Sequence, residues 1–374
     1  MAMRRQPLRL LADDLTGALD SAAAFASTRE PVAVCWRSEV PDKGAVALDS
    51  RSRELLPDEA RGAVAALAPA LWAPKAGLAF KKLDSLLRGQ EAAELDTVLS
   101  LLRPSRCVIA PAFPAQRRIT RGGRQYAWMA GEWQPVGSDL AAGLARAGHH
   151  VEHREAGAPV PAGISLWDAE SDADLDTVVA AAGDPDGVLW VGSGGLAAAL
   201  ARAMGCRSEL APEAPALPVL GLVGSDHPVI REQLGRLGTL HHPLGAEGEG
   251  DGELISRLAG DGVAFASLAL PQDMSRREAS ALIEARFAGL LARLERPGTL
   301  VAAGGETLRG LCEALGTGQL DVIGELAPGV PRSIMRGGHW DGVTVVSKSG
   351  AFGGPDLLIQ IVAGKPALFA GAAA

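Results

Sequence analysis

Short segments rich in apolar and β-branched residues alternate with longer amphipathic segments along nearly the whole chain. The amphipathic segments, such as Leu15–Ala26, Pro57–Ala68 and Gln90–Leu102, have the apolar spacing of helices. The alternation predicts an α/β protein whose sheets are mainly parallel and flanked by helices. The predicted strands are Arg9–Ala12, Val32–Trp36, Val46–Leu48, Leu78–Lys81, Cys107–Ala110, Ile164–Trp167, Val188–Val191, Val219–Val223, Ala264–Ala269, Leu300–Ala303 and Val343–Ser347.

The length of the chain and one proline-rich segment indicate two domains. A chain of 374 residues is too long for one ordinary hydrophobic core. The segment 211–218, APEAPALP, contains prolines that favour extended backbone. We therefore predict a first domain at residues 1–210, a linker at 211–218 and a second domain at 219–374.

Composition and charge exclude several classes of protein. The net charge of −8 argues against a nucleic-acid-binding surface, and no apolar run reaches the roughly 18 residues of a membrane span. The apolar stretch near the N-terminus is interrupted by Arg9 and ends at Asp13, which is typical of a strand and not of a signal peptide. The scattered cysteines lack metal-ligand spacing. We expect a cytoplasmic protein with reduced cysteines.

The residues that follow the predicted strands of the first half are unusually polar. Asp13 and Asp14 follow the first strand, Asp49–Arg53 follows the third, and Lys81–Gly89 includes and follows the end of the fourth. In open parallel sheets, ligands bind beyond the carboxyl ends of the strands. One aspartate is enough to cap the next helix, so the second indicates a further role, such as binding a sugar hydroxyl or accepting its proton.

The cations in these segments suit a ligand that carries both hydroxyl and carboxylate groups. Lys82 and Arg88 flank Asp84, so cations are available for an acid and a carboxylate for a hydroxyl. Surface ion pairs are the alternative interpretation, but polar clusters at three strand ends favour a ligand site. After the fifth strand, Ala110–Gly123 predicts a stiff basic loop from which Arg118 reaches the substrate.

Glycine-containing segments follow three predicted strands of the second half, at Val223–Ser225, Ala303–Thr307 and Ser347–Gly354. Neither a Walker A sequence nor a dinucleotide fingerprint is present. Glycines allow backbone N–H groups to point at phosphate oxygens, and Lys348 can neutralise phosphate charge. Glu306 is suited to positioning Mg²⁺, directly or through water. Tight turns also use glycine, but the recurrence at three strand ends favours a phosphate ligand.

Taken together, these segments resemble the four-carbon acid sugar kinases, a family with a sugar-acid-binding N-terminal domain and a nucleotide-binding C-terminal domain. The matches keep the family order over nearly the whole chain, which makes chance agreement implausible. The matching segments are ADDLTGALD (Ala12–Asp20), DSRS (Asp49–Ser52), KLDSLLRG (Lys82–Gly89), APAFPAQRRITRGG (Ala110–Gly123), VGSGGLA (Val191–Ala197), VGSDHPV (Val223–Val229), AGGET (Ala303–Thr307), LAPGVP (Leu326–Pro331) and KSGAFG (Lys348–Gly353).

The resemblance implies that ATP, with Mg²⁺, phosphorylates the terminal hydroxyl of threonate, erythronate or a 3-oxo-tetronate. Asp84 or Asp14 is the expected catalytic base, and no metal ligand is assigned. The implied sugar-acid pocket contains Asp13, Asp14, Lys82, Asp84, Ser85, Arg88 and Arg118. The implied nucleotide site contains Ser225, Gly304, Gly305, Glu306, Thr307 and Gly350. We add Lys348 to this site because its charge can neutralise phosphate.

Several departures from the usual family pattern leave the identity of the acid open. They are Leu19, Leu86, Arg117, Ile119, Asp226 and His227. The alternative function is a non-catalytic sensor of a sugar acid, a nucleotide or both, although no DNA-binding module is evident. An oxidoreductase acting on a hydroxy acid is a further alternative, and the missing dinucleotide fingerprint disfavours it. A homodimer is expected because it is the commonest oligomer.

Overall fold

A computed structural model describes residues 3, 5–36, 41, 44–72, 77–183, 185–206, 214–270 and 274–364. The chain divides into two compact units, Met1–Ser208 (unit 1) and Glu209–Ala374 (unit 2). The predicted linker 211–218 is described from residue 214 onward, so its first residues lie outside the described part. Among the described residues, no helix combines the length and the apolar character that crossing a bilayer requires.

The main sheet of unit 1 is parallel, which confirms the predicted fold class. Its strand order is β2-β3-β1-β4-β11-β5-β10-β9. β1, β4 and β11 lie in its interior and are apolar over most of their length, as expected where helices cover both faces of a sheet. The strands of unit 1 are β1 Leu8–Ala12, β2 Val32–Cys35, β3 Ala45–Asp49, β4 Leu78–Lys82, β5 Arg106–Ala110, β6 Arg118–Arg121, β7 Arg124–Met129, β8 Glu132–Pro135, β9 Val151–Arg154, β10 Gly163–Trp167 and β11 Val188–Gly192.

The helices of unit 1 connect the parallel strands and form two packed groups. α2 contacts α3, which contacts α4, and α6 contacts both α1 and α5. The first group buries Val64, Leu95 and Leu144 completely against the sheet. The helices are α1 Leu15–Ala23, α2 Pro57–Trp72, α3 Glu91–Leu102, α4 Leu140–Arg146, α5 Asp172–Ala182 and α6 Gly194–Ala203.

A small antiparallel sheet, β6-β7-β8, replaces part of the basic loop predicted over Ala110–Gly123. Arg121 pairs with Arg124, so Gly122 and Gly123 form a two-residue hairpin turn. Their φ values of +57° and +72° match the left-handed turn that joins two twisted strands. The prediction of a stiff loop is therefore wrong for Arg118–Arg121, which form strand β6, because the two glycines that follow them close a hairpin.

Unit 2 contains a mixed sheet of order β13-β14-β12-β15-β18-β17-β16. The strands from β13 to β18 in this order run parallel, and β17 is antiparallel to both β18 and β16. β13, β16 and β17 were not predicted from the sequence. The alternating burial of β16 shows the two-faced pattern of an antiparallel strand. The strands are β12 Val219–Val223, β13 His241–Leu244, β14 Val263–Leu268, β15 Thr299–Ala303, β16 Gln319–Ala327, β17 Val330–Arg336 and β18 Thr344–Lys348.

Two helices of unit 2, α7 and α9, begin at recognisable capping residues. Ser275 and Glu278 form a capping box at the start of α9, and Pro228 occupies the first turn of α7. Ile230, Leu234 and Phe265 belong to the apolar core of this unit. The helices are α7 Pro228–Arg236, α8 Asp251–Asp261, α9 Arg276–Leu291, α10 Gly305–Ala314 and α11 Leu357–Val362.

Candidate active site

Asp13 and Asp14 follow β1 and have different local roles. Asp14 is the N-cap of α1: its Oδ1 accepts a hydrogen bond from Gly17 N at 2.8 Å, and its Oδ2 accepts one from Thr16 Oγ1 at 2.5 Å. The cap satisfies helical N–H groups that would otherwise lack partners. Asp13 is buried, with 3% of its surface exposed. The second carboxylate is thus not needed to begin the helix.

Arg53 brings together carboxylates from the ends of two strands. Its guanidinium donates to Asp13 from Nε at 2.7 Å and from Nη2 at 3.0 Å, and to Asp14 from Nη1 at 2.6 Å and from Nη2 at 2.8 Å. Nη2 also lies 3.8 Å from Asp84 Oδ1. The planar fork of arginine permits this arrangement. The sequence-predicted site omits Arg53, although its position after β3, which pairs with β1, was an available signal.

Asp84 lies in the loop after β4 and is held by Arg88. Arg88 donates from Nε to Oδ2 at 2.7 Å and from Nη2 to Oδ1 at 2.9 Å. Burial raises the pKa of Asp84, but the hydrogen bond from Arg88 and the charges of Arg53 and Arg88 outweigh it, so the pKa falls well below its ordinary value. Burial also raises the pKa of Asp13, but the charge and the hydrogen bonds of Arg53 outweigh burial, so the pKa of Asp13 is lowered. Both carboxylates are ionised at neutral pH.

The two lysines at the end of β4 differ in their partners. Lys81 is fully buried, and its Nζ lies 2.7 Å from Glu94 Oε2, so its charge is compensated inside the unit. Lys82 Nζ donates to the carbonyl of Leu83 at 2.6 Å and has no carboxylate within 4.0 Å in the described part of the chain. A Cβ on Gly17 would lie 3.2 Å from this Nζ. Lys82 therefore places a cation beside the first turn of α1.

Arg118 and Ser85, two predicted substrate ligands, are in contact. Arg118 Nη1 donates to Ser85 Oγ at 2.5 Å. Gln125, on the neighbouring strand β7, donates from Nε2 to the carbonyl of Ser85 at 2.9 Å and accepts from Thr120 Oγ1 at 2.8 Å. The small antiparallel sheet thus holds the loop after β4, which explains how a hairpin positions Arg118.

Two further carboxyl groups near this pocket were not singled out from the sequence. Burial raises the pKa of Asp20 to about 6, although the nearby charges of Lys82 and Arg118 oppose the shift. Burial and the neighbouring carboxylates Asp13 and Asp84 raise the pKa of Glu91 to about 8. Such shifts depend on surroundings that only the folded chain provides.

In unit 2, the glycine segments after β12 and β15 meet at very short range. A Cβ on Gly224 would lie 2.1 Å from Thr307 Oγ1, and a Cβ on Gly304 would lie 3.1 Å from the same atom. Gly304 has φ +109°, a value that strongly favours glycine. Side chains other than hydrogen are therefore excluded where these two strand ends approach each other.

The third glycine segment, after β18, joins the same group. A Cβ on Gly350 would lie 1.9 Å from Ser225 Oγ, and Gly304 N donates to the carbonyl of Lys348 at 3.0 Å. Gln233, which the sequence analysis did not identify, donates from Nε2 to the carbonyls of residues 352, 353 and 354 at 3.1, 3.2 and 2.9 Å. We call Gly224, Ser225, Gly304, Thr307 and Gly350 the glycine cradle.

The start of α10 and one buried lysine add positive potential to the cradle. Gly304 is the N-cap of α10 and offers no side-chain hydrogen bond, so Gly305 and the exposed Glu306 begin a helix whose N–H groups are not capped by that residue. Lys348 is 1% exposed, and its Nζ donates to the carbonyl of Gly350 at 3.4 Å. Burial lowers the pKa of Lys348 to about 7. A bound anion would favour its charged form.

No group of three or more His, Cys, Asp or Glu residues suited to a metal ion occurs in the described part of the chain. Two histidines instead have single acidic neighbours: His149 Nε2 lies 2.9 Å from Asp96 Oδ1, and His153 Nε2 lies 3.0 Å from Asp168 Oδ1. Mg²⁺ often binds proteins through one or two carboxylates together with substrate phosphates and water. Glu306, exposed at the start of α10, fits that mode.

Two known domain families match the chain. A sugar-binding N-terminal domain matches residues 8–142, and a nucleotide-binding C-terminal domain matches residues 254–358. The first match includes the charged pocket of unit 1. The second includes the parts of the glycine cradle that follow β15 and β18.

Curated relatives match over nearly their full length. The chain is 31% identical to the D-threonate kinase of Cupriavidus necator, over 92% of this chain and 94% of that protein. It is 29% identical to the D-threonate kinase of Bordetella bronchiseptica, over 94% and 95%. It is 26% identical to the D-erythronate kinase of Heliobacterium modesticaldum, over 93% and 94%.

Solved structures share the fold. A Salmonella typhimurium LT2 protein superposes with a TM-score of 0.71 at 21% identity, over 94% of this chain and 97% of that one. The Haemophilus influenzae protein HI1011 superposes with a TM-score of 0.67 at 19% identity, over 96% and 99%. With the matched domains and the curated relatives, the family is established. The chain belongs to the four-carbon acid sugar kinases, and it is a phosphotransferase with an alcohol group as acceptor.

Proposed function

We propose that the protein uses ATP to phosphorylate the terminal hydroxyl of a four-carbon sugar acid, of the threonate, erythronate or 3-oxo-tetronate type. The observation that carries the proposal is the pocket at the strand ends of unit 1, where cations and carboxylates are held side by side. A ligand with both a carboxylate and hydroxyl groups complements that mixture of charges. The curated relatives, which are named D-threonate and D-erythronate kinases, support the same class of acid.

In this proposal, the acid group of the substrate binds the cations of unit 1. Lys82, whose Nζ has no carboxylate partner in the described part of the chain, and Arg118 are the best placed for it. The ionised carboxylates accept hydrogen bonds from the sugar hydroxyls, and Arg53 holds them in place. The full proposed set is Asp13, Asp14, Lys82, Asp84, Ser85, Arg88 and Arg118.

ATP is proposed to bind the glycine cradle of unit 2. The N–H groups of the first turn of α10 approach the phosphates, because Gly224, Gly304 and Gly350 carry no side chains that would stand in the way. Lys348 then gains a proton as it meets phosphate charge. Mg²⁺, held with Glu306 and the phosphates, would neutralise the charge that develops on them. The proposed set is Ser225, Gly304, Gly305, Glu306, Thr307, Lys348 and Gly350.

Phosphoryl transfer requires mainly positioning and charge neutralisation, with one group to receive the hydroxyl proton. Asp84 and Asp14 remain the bases predicted from the sequence. Both are paired with arginine, and Asp84 has a lowered pKa, which makes it a weak proton acceptor. The pocket also contains Asp20, whose pKa is raised by burial, in contrast to that of Asp84.

The test is release of ADP from ATP and Mg²⁺ with each isomer of threonate and erythronate and with 3-oxo-tetronate. We expect one or two acids to support turnover, with phosphate on the terminal carbon by NMR. Binding of acid and nucleotide in calorimetry without ADP release would indicate the sensor function instead. Reduction of NAD by a hydroxy acid would indicate the oxidoreductase. Light scattering of the same sample tests the expected homodimer.

A further inference from the structure

The carboxylates of the unit 1 pocket fall into two groups according to their partners. Asp13 and Asp14 share the guanidinium of Arg53, and Asp84 is bound in a bidentate manner by Arg88. Asp20 belongs to the second group: within the described residues its carboxylate has neither a hydrogen bond nor an ion pair. An ionised carboxylate that arginine already holds has little tendency to take a proton, so the two groups differ in chemical capacity.

Asp20 lies one helical turn after Gly17 on α1, on the side where Lys82 packs. A Cβ on Gly17 would lie 3.2 Å from Lys82 Nζ, and residues three apart share a helix face. On the α6 side, a Cβ on Gly194 would lie 2.7 Å from Asp20 Oδ2 and 2.8 Å from Phe113 Cε1. The absence of side chains at Gly17 and Gly194 therefore lets Lys82 approach α1 closely and lets the carboxylate of Asp20 approach α6 closely.

The charges that face Asp20 come from three elements. Asp14 lies at the start of its own helix, Lys82 at the end of β4 and Arg118 at the start of β6, while α6 presents the uncharged Gly194. Burial outweighs the two cations and raises the pKa of Asp20 to about 6. A base works best when its pKa is close to the working pH, so that it is mostly ionised and still binds a proton well.

We propose that Asp20 is the catalytic base of the kinase reaction proposed above, on which this inference rests. The hydroxyl oxygen of the sugar acid forms a bond to the γ-phosphorus of ATP. The bond from that phosphorus to the bridging oxygen breaks, and its electron pair leaves with ADP. The hydroxyl proton passes to a carboxylate oxygen of Asp20. Lys82 and Arg118 hold the acid end of the same substrate beside it.

The first test is Asp20→Asn, which keeps the shape and removes the proton acceptor. We expect kcat to fall by about 10²- to 10⁴-fold while the KM values for acid and ATP change less than about threefold. In the wild type, log kcat should decline below about pH 6, and that decline should disappear in Asp20→Asn. The control is Asp176→Asn on α5, an exposed carboxylate paired with Arg202, which should leave kcat and the pH profile unchanged.

The second test separates a lost base from a damaged fold. Asp20→Ala with added formate should recover at least tenfold in kcat, because formate can occupy the vacated space and accept the proton. Asp84→Asn should raise the KM for the acid, and its log kcat should still decline below about pH 6 as in the wild type.

Three outcomes would overturn the assignment: a kcat of Asp20→Asn within threefold of wild type, an unchanged acidic limb, or no recovery with formate in a folded Asp20→Ala protein. If the wild-type protein releases no ADP with any acid, the kinase proposal itself fails, and that result is distinct from these three.

Discussion

The candidate sites of the two units have the same position relative to their sheets but are built from different groups. In unit 1, the groups after β1, β3 and β4 are charged side chains that contact one another, with Arg53 in contact with Asp13 and Asp14. In unit 2, the corresponding segments after β12, β15 and β18 contain glycines, whose backbone lies close to the hydroxyl groups of Ser225 and Thr307. Lys348 is a buried cation at the edge of this backbone site.

Because the two sites are built from different groups, they should be sensitive to different substitutions. A charged pocket depends on complete pairing, because a buried carboxylate without its cation is costly. A glycine cradle depends on space and on left-handed backbone, and loses function when a side chain is added. We therefore expect the loss of a cation that pairs with carboxylates to destabilise unit 1, and added methyl groups to weaken nucleotide binding in unit 2.

The largest effect is expected for Arg53→Met. The substitution leaves the buried carboxylate Asp13 and the partly buried Asp14 without their cation, and breaking a buried pair typically costs about 3–5 kcal/mol. Urea unfolding measures the loss of stability. Arg202→Met, which breaks an exposed pair with Asp176, is the matched control and should cost less than about 1 kcal/mol. Equal losses in the two variants would contradict the comparison.

Lys348 tests whether charge matters in the backbone-built site. Its pKa of about 7 means that the free amine is charged below pH 7 and neutral above it. Wild-type affinity for an ATP analogue should thus fall between pH 7 and 9, by up to about 100-fold over these two units. Lys348→Met should bind weakly at pH 7 and show a flat profile. A flat wild-type profile in calorimetry would show that the amine does not meet phosphate.

Gly304→Ala tests the role of backbone conformation. A residue with a side chain at φ +109° is strained by about 1–3 kcal/mol, so the KM for ATP should rise roughly 5- to 150-fold, with the KM for the acid unchanged. The control is Gly262→Ala at the end of α8, where φ is +74° and a Cβ would lie at an ordinary contact distance of 3.7 Å from Leu217. This variant should lose stability and keep its KM for ATP. An equal rise of the KM for ATP in both variants would show that the effect of Gly304→Ala is not specific to the glycine cradle.

The smallest effect is a gain in stability for Glu91→Gln, opposite in sign to that of Arg53→Met. The pKa of Glu91 is raised from 4.5 to about 8, so the folded state binds the proton more tightly than the unfolded chain does. The stabilising contribution is complete below about pH 4.5 and is lost as pH rises to 8. Glutamine mimics the protonated form and can still accept the bond from Gly89 N.

We expect the free energy of unfolding, measured with urea, to be about 1–2 kcal/mol larger for Glu91→Gln than for wild type at pH 8. At pH 4.5 the two proteins should have nearly the same free energy of unfolding. The sign follows from removing a charge that burial and Asp13 oppose. A stability difference that is the same at both pH values would show that Glu91 does not titrate between them. Thermal unfolding by circular dichroism at the two pH values supplies the comparison.

The fold class and the parallel strands were predictable because strand periodicity and helix spacing are local properties. Every strand predicted from the sequence coincides with one of the structure, for example Val219–Val223 and β12. The strands that were missed are short or at sheet edges, such as β9 and β13, or antiparallel, such as β17. Their sequences are polar or alternate, so the apolar runs that mark interior parallel strands are absent from them.

The positions of the polar and glycine-rich strand ends could be predicted from the amino-acid order alone, and these segments carry the resemblance to the family. That Arg53 holds Asp13 and Asp14, and that Asp20 has no such partner among the residues the structure describes, emerges only once the chain has folded. The reason is that ion pairing and the cost of burying a charge depend on neighbours that are distant in sequence. Glycine spacing is written in the chain, whereas the protonation of a carboxylate depends on what surrounds it after folding.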